Sequence, residues 1–177
     1  MDLKSEMKES SIILLIISKD KYHGELIEAI KAIDSYSSKI CYVCINSPYS
    51  FVVDNIQKNS LKPEKFFFID TLTKSVQAPP NVNDCIFVSA PNALTEISLA
   101  LTKALNEKHC DSTLFDTIST LLVYENQHSL IQFVHNVLTK LRISKGKAVF
   151  VALKDDINSE LVKDLYMFVD KVIDLDK

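Results

Sequence analysis

Apolar residues along this chain form short continuous runs that alternate with longer amphipathic stretches. The runs are rich in Val, Ile and Phe, residue types that favour strands. A strand without polar alternation is typical of a sheet that is buried on both faces. The pattern predicts strands at 11–18 (SIILLIIS), 39–45 (KICYVCI), 65–70 (KFFFID), 85–89 (CIFVS), 112–116 (STLFD), 147–153 (KAVFVAL) and 169–175 (VDKVIDL).

The stretches between these runs repeat their apolar residues at helical spacing. The clearest stripe lies between residues 130 and 141, and weaker ones occur at 26–33, 94–105 and 161–168. Ser47 and Pro48 resemble the N-cap and first residue of another helix. Strands that alternate with helices predict an α/β fold of three layers, α/β/α, around a mainly parallel central sheet.

The chain reads as one domain with a short polar extension. Residues 1–10 are polar and charged and predict a flexible N-terminal tail, followed by a single domain over 11–177. Residues 71–83 contain Pro79-Pro80 and little periodicity, which predicts a loop. The longest apolar run, Ile12 to Ile17, is far too short to cross a membrane, and no signal-peptide cleavage pattern follows it. We therefore expect a cytoplasmic protein.

Composition narrows the function classes only a little. Hydrophobic residues make up 47% of the chain, charged residues 24%, and the formal net charge is -3. This balance is that of a globular protein and does not indicate nucleic-acid binding. Cys41 and Cys44 have the C-x-x-C spacing, but residues three apart on a strand face opposite sides of a sheet. We expect buried, reduced thiols rather than a metal site.

One acidic residue stands where a ligand site is expected. In open α/β sheets, ligands bind beyond the carboxyl ends of the strands. Residues 112–120 (STLFDTIST) place Asp116 at such an end, and small hydroxyl residues follow it, beginning with Thr117. Two interpretations stay open: Asp116 caps the following turn, or it is a metal ligand. We favour capping, because no companion phosphate site is visible nearby.

Residues 112–120 resemble the Walker B segment of the RecA/KaiC/RadA superfamily of P-loop ATPases. Residues 40–48, 61–70 and 169–175 are also similar to segments of KaiC-like proteins, so the resemblance extends over nearly the whole chain. It implies a RecA-like core. It also implies that Asp116 would stand where the family's strand-end aspartate helps to hold magnesium beside the nucleotide.

The chain departs from this family at the two positions that matter most for ATP hydrolysis. The family carries G-x-x-x-x-G-K-[ST] after the first strand, but residues 18–26 here read SKDKYHGEL, and the chain has only two glycines. Glu25 would also repel a phosphate at a helix start. Asn46 stands where KaiC-like proteins usually have a glutamate that activates water, and an amide is a poor general base. We expect no conventional ATP hydrolysis.

The first functional hypothesis is a pseudo-ATPase: a non-catalytic RecA/KaiC-like domain that acts as a regulatory or assembly protein. It expects a protein partner or self-association and no cofactor. The alternative is a nucleotide-binding protein with a non-standard phosphate site at the carboxyl edge of the sheet. Lys19, Lys21, Asp116 and Thr117 would then bind ATP, with Asp116 as the magnesium ligand. A small-molecule enzyme at the same edge is a third hypothesis, which no set of residues favours.

Overall fold

The computed structural model of the protein describes residues 3–176, which form a seven-stranded sheet between two layers of helices. All of the strand pairs in this sheet are parallel, so the predicted three-layer α/β fold is confirmed. The strands are β1 (Ile12–Ile17), β2 (Ile40–Cys44), β3 (Phe66–Asp70), β4 (Cys85–Phe87), β5 (Ser112–Asp116), β6 (Lys147–Leu153) and β7 (Lys171–Asp174).

The helices divide between the two faces of the sheet. They are α1 (Leu3–Glu9), α2 (Tyr22–Asp34), α3 (Tyr49–Lys58), α4 (Leu94–Asn106), α5 (Ile118–Tyr124), α6 (Gln127–Ser144) and α7 (Glu160–Phe168). Helices α1 to α3 pack on one face and α4 to α7 on the other. Within residues 3–176, no helix combines the length and the apolar character needed to cross a bilayer.

The strand order is β4-β3-β2-β5-β6-β1-β7. The chain runs from β1 through β2 and β3 to β4 in one direction, and from β5 through β6 to β7 in the other. Because parallel crossovers are right-handed, the reversal sends the later helices to the opposite face. The connections that follow the neighbouring strands β2 and β5 therefore leave the sheet on opposite faces, and a crevice opens between their carboxyl ends.

The buried strands explain why their sequences are continuously apolar. Every residue of β1 is buried, with Leu14 and Ile16 in the core under α4 to α7 and Leu15 and Ile17 in the core under α1 to α3. The cysteines of β2 follow the same alternation. As predicted, both are buried on opposite faces of the sheet, Cys41 in one core and Cys44 in the other.

The polar N-terminal segment differs from the predicted flexible tail. Residues 3–9 form helix α1, and the side chain of Met7 is fully buried (0% exposed) in the core under α2. Glu6 also pairs with Lys171 on the edge strand β7, at 3.4 Å. The tail prediction is wrong here because one buried side chain anchors the helix. Residues 1 and 2 lie outside the described residues.

Between β2 and β4 the structure agrees with the prediction from the sequence, except at the start of helix α3. Residues 71–83 form a 3₁₀ turn (Thr73–Ser75) and irregular backbone, as predicted for a loop. Helix α3 begins at Tyr49, with Pro48 in the N-cap position, so the predicted Ser47 cap is wrong by one residue. The Tyr49 N–H instead donates to the carboxylate of Asp70 at 2.6 Å, and this side chain from the neighbouring strand replaces the local cap.

The packing of α1 gives a prediction for stability. Replacement of Met7 by Ala leaves a cavity in the core, and we expect the free energy of unfolding to fall by about 2 kcal/mol. Lys8→Ala is the matched control, since Lys8 is exposed on the same helix and its change should stay within about 0.5 kcal/mol. Urea denaturation followed by circular dichroism measures both. Equal stability of the two variants would mean that α1 does not dock on the core.

Candidate functional site

The crevice between β2 and β5 contains Asp116, the last residue of β5. Asp116 is opposite Cys44 in the register of these strands, and its side chain faces the layer of α2 and α3. The Asp116 carbonyl oxygen accepts the N–H groups of both Ile45 and Asn46, each at 2.9 Å. The ends of the two strands are therefore tied together directly beside the acid.

Two tyrosine hydroxyls donate to the Asp116 carboxylate. Tyr42 donates to Oδ2 at 2.6 Å, and Tyr22 donates to Oδ1. Asn46 in turn donates from Nδ2 to the Tyr22 hydroxyl at 3.2 Å, and the Thr120 hydroxyl donates to Asn46 Oδ1 at 3.2 Å. Asp116 is only 1% exposed, so these donors take the place of water around it.

Local sequence explains how the two tyrosines reach the acid. Tyr42 lies two residues before Cys44 on β2, so it faces the same side of the sheet as Asp116. Tyr22 is the first residue of α2, and the short connection after β1 brings that end of the helix to the crevice. The position of the Tyr22 hydroxyl thus depends on where α2 begins.

Burial dominates the electrostatics of this group. Loss of solvent raises the pKa of Asp116 above its ordinary value, although the hydrogen bonds from Tyr22 and Tyr42 oppose the shift. Burial and the nearby carboxylate raise the pKa of both tyrosines. Both hydroxyls therefore stay protonated and can only serve Asp116 as donors at neutral pH.

The space beside Asp116 is very small. A cavity of about 10 Å³ lies between α2 and α3, and its walls include Tyr22, His23, Tyr42, Phe51 and Asp116. That volume has room for about one water molecule. Pockets for small-molecule ligands are typically about 300 to 1,000 Å³. No nucleotide fits beside the acid in this arrangement.

The connection between β1 and α2 is short and contains no glycine. It spans four residues, 18–21, and α2 begins at Tyr22. Gly24 lies inside the helix, where a Cβ atom would meet nothing within 4 Å, and neither glycine of the chain has positive φ. Glu25 is in the first helical turn, as expected. This connection therefore differs from a glycine-rich phosphate loop, whose backbone uses positive φ values to wrap an anion.

Lys21 of this connection turns towards a different carboxylate, that of Asp176. Lys21 Nζ contacts Asp176 Oδ1 at 2.7 Å, and Lys154 Nζ contacts Asp176 Oδ2 at 3.0 Å. The Ser18 hydroxyl donates to the same carboxylate. These three hydrogen bonds hold the pKa of Asp176 well below its ordinary range. Lys19 is exposed, and within residues 3–176 no hydrogen bond or ion pair joins Lys19 or Lys21 to Asp116.

Thr117 has the capping role that the sequence suggested for Asp116. Its Oγ1 accepts the N–H of Thr120 at 3.2 Å and caps helix α5. The capping interpretation of Asp116 is wrong because α5 packs on the other face of the sheet, away from the Asp116 side chain. The peptide bond between the two residues is cis.

Asp70, the acid at the end of β3, is saturated by structural hydrogen bonds. It accepts the N–H groups of Tyr49, Leu72 and Thr73 and the hydroxyl of Thr73, at 2.6 to 2.7 Å. This carboxylate therefore fixes the start of α3 and the turn after β3. It has no accessible oxygen for a ligand, since it is fully buried.

The residues around Asp116 do not fit a magnesium–nucleotide complex. Magnesium is usually held by one or two carboxylates together with phosphate oxygens and several waters. Here both oxygens of the single carboxylate accept tyrosine hydroxyls, and the cavity holds about one water. Among residues 3–176, no group of three or more His, Cys, Asp or Glu side chains could hold a metal ion.

Asp116 was predictable from the sequence, but its two tyrosine partners were not predicted. Tyr42 could have been found if β2 and β5 had been recognised as neighbours, because it then shares a face with Asp116. Tyr22 had only an indirect signal. An aromatic residue in the segment where the family has its phosphate loop suggests a side chain that fills that space.

Comparison with known proteins gives the fold. No protein-family model matches the chain, and no curated protein matches it significantly in sequence. A KaiC-like protein of the archaeon Pyrococcus horikoshii superposes with a TM-score of 0.67 at 10% identity, over 93% of this chain and 72% of that one. The flagellar accessory protein FlaH of Methanocaldococcus jannaschii gives a TM-score of 0.56 at 12% identity, over 93% and 70%.

An ATPase from a type III secretion system of pathogenic bacteria is similar over 93% of this chain, with a TM-score of 0.54 and 12% identity. This chain spans about half of the length of that ATPase (51%). At such identities the similarity shows the fold alone. The chain has the RecA/KaiC-like fold of P-loop ATPases, as the resemblance of its segments implied.

The buried carboxylate predicts a specific dependence of stability on pH. A carboxyl group whose pKa is raised in the folded state binds its proton more tightly there, so it destabilises the fold as pH rises above about 4, the unfolded value. Asp116→Asn keeps the shape without the charge. We expect the stability of this variant relative to wild type to improve from pH 4 to pH 8, measured by urea denaturation. If Asp116→Asn instead lost stability relative to wild type between pH 4 and pH 8, the pKa of Asp116 would not be raised.

Proposed function

We propose that this protein is a non-catalytic RecA/KaiC-like domain that acts as a regulatory or assembly protein through protein contacts. The observation that carries the proposal is the seal over Asp116. In the family that its segment resembles, this acid helps to hold magnesium beside the nucleotide. Here Tyr22 and Tyr42 occupy both of its carboxylate oxygens, and about 10 Å³ is left beside it.

Two further features support the same proposal. The four-residue connection after β1 lacks the glycine conformations of a phosphate loop, and Lys21 is paired with Asp176. Asn46, at the position of the usual glutamate, donates to the Tyr22 hydroxyl and thus helps to hold the seal. The changes at three separate places therefore favour a closed crevice over a rebuilt nucleotide site.

The helical surfaces support the protein-contact part of the proposal. Large apolar side chains are exposed on several helices, among them Leu99 on α4, Ile143 on α6 and Met167 on α7. Single exposed apolar residues are ordinary, but those that lie beside a groove are typical of docking surfaces. A domain that has lost its nucleotide chemistry and kept its fold can still present such surfaces.

The proposal is tested by calorimetric titration and thermal shift with ATP, ADP and GTP, each with and without magnesium. We expect no heat of binding and no shift at about 1 mM nucleotide. A dissociation constant of about 10 μM would stabilise the fold by about 2.7 kcal/mol at that concentration, which is readily detected. The absence of a shift therefore excludes physiologically useful affinity.

Asp116→Ala is the matched control for a positive result. If wild type binds nucleotide in a magnesium-dependent manner and the folded variant binds at least ~10-fold more weakly, the proposal is wrong and a site that includes Asp116 exists. If wild type binds and the variant binds equally well, the nucleotide uses another surface, which also contradicts a purely protein-binding role.

A further inference from the structure

Helix α4 carries an exposed leucine between two opposite charges. Leu99 is 64% exposed, in the middle of the water-facing side of the helix. Glu96 comes three residues before it and Lys103 four residues after it, and both are exposed on the same side. With a rise of 1.5 Å per residue, these charges lie about 4.5 Å and about 6 Å from Leu99 along the helix axis.

A groove between α4 and α6 lies directly beside Leu99. Its volume is about 430 Å³, and Leu94, Leu99 and Phe133 form its apolar part, while Ser98, Gln132 and Asn136 supply amides and a hydroxyl. None of the described residues that line it is charged, although charged residues make up 24% of the chain. Depletion of charge at the centre of a surface is typical of protein–protein interfaces.

The groove is preformed because a half-buried lysine, Lys140, joins its two helices. Lys140 Nζ, on α6, donates to the Ser98 carbonyl at 3.0 Å, to the Ser98 hydroxyl at 2.7 Å and to the Thr102 hydroxyl at 2.8 Å. The Ser98 hydroxyl also bonds Asn136 Oδ1 at 3.1 Å. A rigid groove can accept a side chain with little reorganisation, which favours association.

We propose that this surface, α4 with the α4–α6 groove, is a symmetric interface with a second copy of the same chain. An antiparallel pairing of the two α4 helices about a two-fold axis near Leu99 places Glu96 of each copy opposite Lys103 of the other. The two Leu99 side chains then pack against each other at the axis, at the edge of the two grooves. Self-complementarity of this kind is the requirement for an isologous dimer.

The charges on α4 are suited to this arrangement. The Glu96 carboxylate accepts the N–H of Ser89 at 2.9 Å and also its hydroxyl, which fixes its position and holds the pKa of Glu96 below its ordinary value. Lys103 is only loosely paired with Glu107, at 3.9 Å, and its side chain is half exposed. Parallel pairing would place like charges together, so complementarity selects the antiparallel orientation.

Sedimentation velocity over about 1 to 100 μM protein, without nucleotide, tests this proposal. We expect wild type to form a dimer whose dissociation constant rises at least ~10-fold in Leu99→Lys. Met167→Lys is the matched control, because Met167 is 75% exposed on α7 and outside the groove, and it should leave the dimer intact. A wild type that stays monomeric throughout, or a dimer that Leu99→Lys does not weaken, would overturn the interface.

A charge exchange tests the orientation. Lys103→Glu and Glu96→Lys each place like charges across the axis, so each variant alone should dissociate, whereas an equimolar mixture of the two should recover a heterodimer. A mixture that stays monomeric contradicts the antiparallel pairing. Glu96→Lys alone removes the hydrogen bonds from Ser89, so it is the one variant of the three that could fail to fold for this reason. In that case Lys103→Glu and Leu99→Lys still decide the proposal. Failure here leaves the proposal of a non-catalytic domain standing, because no nucleotide enters the experiment.

Discussion

The carboxyl edge of this sheet is organised around one buried carboxylate, which must accept its hydrogen bonds from protein groups instead of water. Asp116 lies at the end of a central strand, and an unpartnered charge there would destabilise the fold by several kcal/mol. The hydroxyls of Tyr22 and Tyr42 supply the donors. Because Tyr22 is the first residue of α2, this contact also requires the helix to begin close to the crevice, and the connection from β1 must be short. The shape of that connection and the closure of the crevice therefore follow from one hydrogen-bonded group.

The fold itself does not depend on phosphate chemistry. Its two cores are filled by the alternating side chains of parallel strands and by the apolar sides of the seven helices in the described chain. Of residues 18–26, Tyr22 and Leu26 are the two that belong to either core. The sheet, its strand order and its helical surfaces therefore do not require a glycine-rich loop after β1. The α4–α6 groove lies on the face opposite the crevice, so the proposed interface and the seal can be tested separately.

The sequence predicted the parts of the structure that depend on local pattern. Continuous apolar runs such as Ile12–Ile17 located the strands, and the stripe from Leu130 to Leu141 located α6. Helix α1 was missed because a single buried residue, Met7, anchors it, and one apolar residue in a polar segment has no periodicity to detect. The partners of Asp116 were missed for a related reason. Tyr22 is 94 residues away and Tyr42 is 74 residues away, so only the tertiary arrangement brings them together.

The most direct test of the seal is the side-chain carboxyl ¹³C chemical shift of Asp116, followed by NMR as a function of pH with and without magnesium. A sealed carboxylate should have a pKa above the ordinary value of about 4, and magnesium should leave its titration unchanged. An ordinary or lowered pKa together with a magnesium-dependent change of the Asp116 signal would contradict the seal, because the carboxylate would then be open to solvent and available as a ligand.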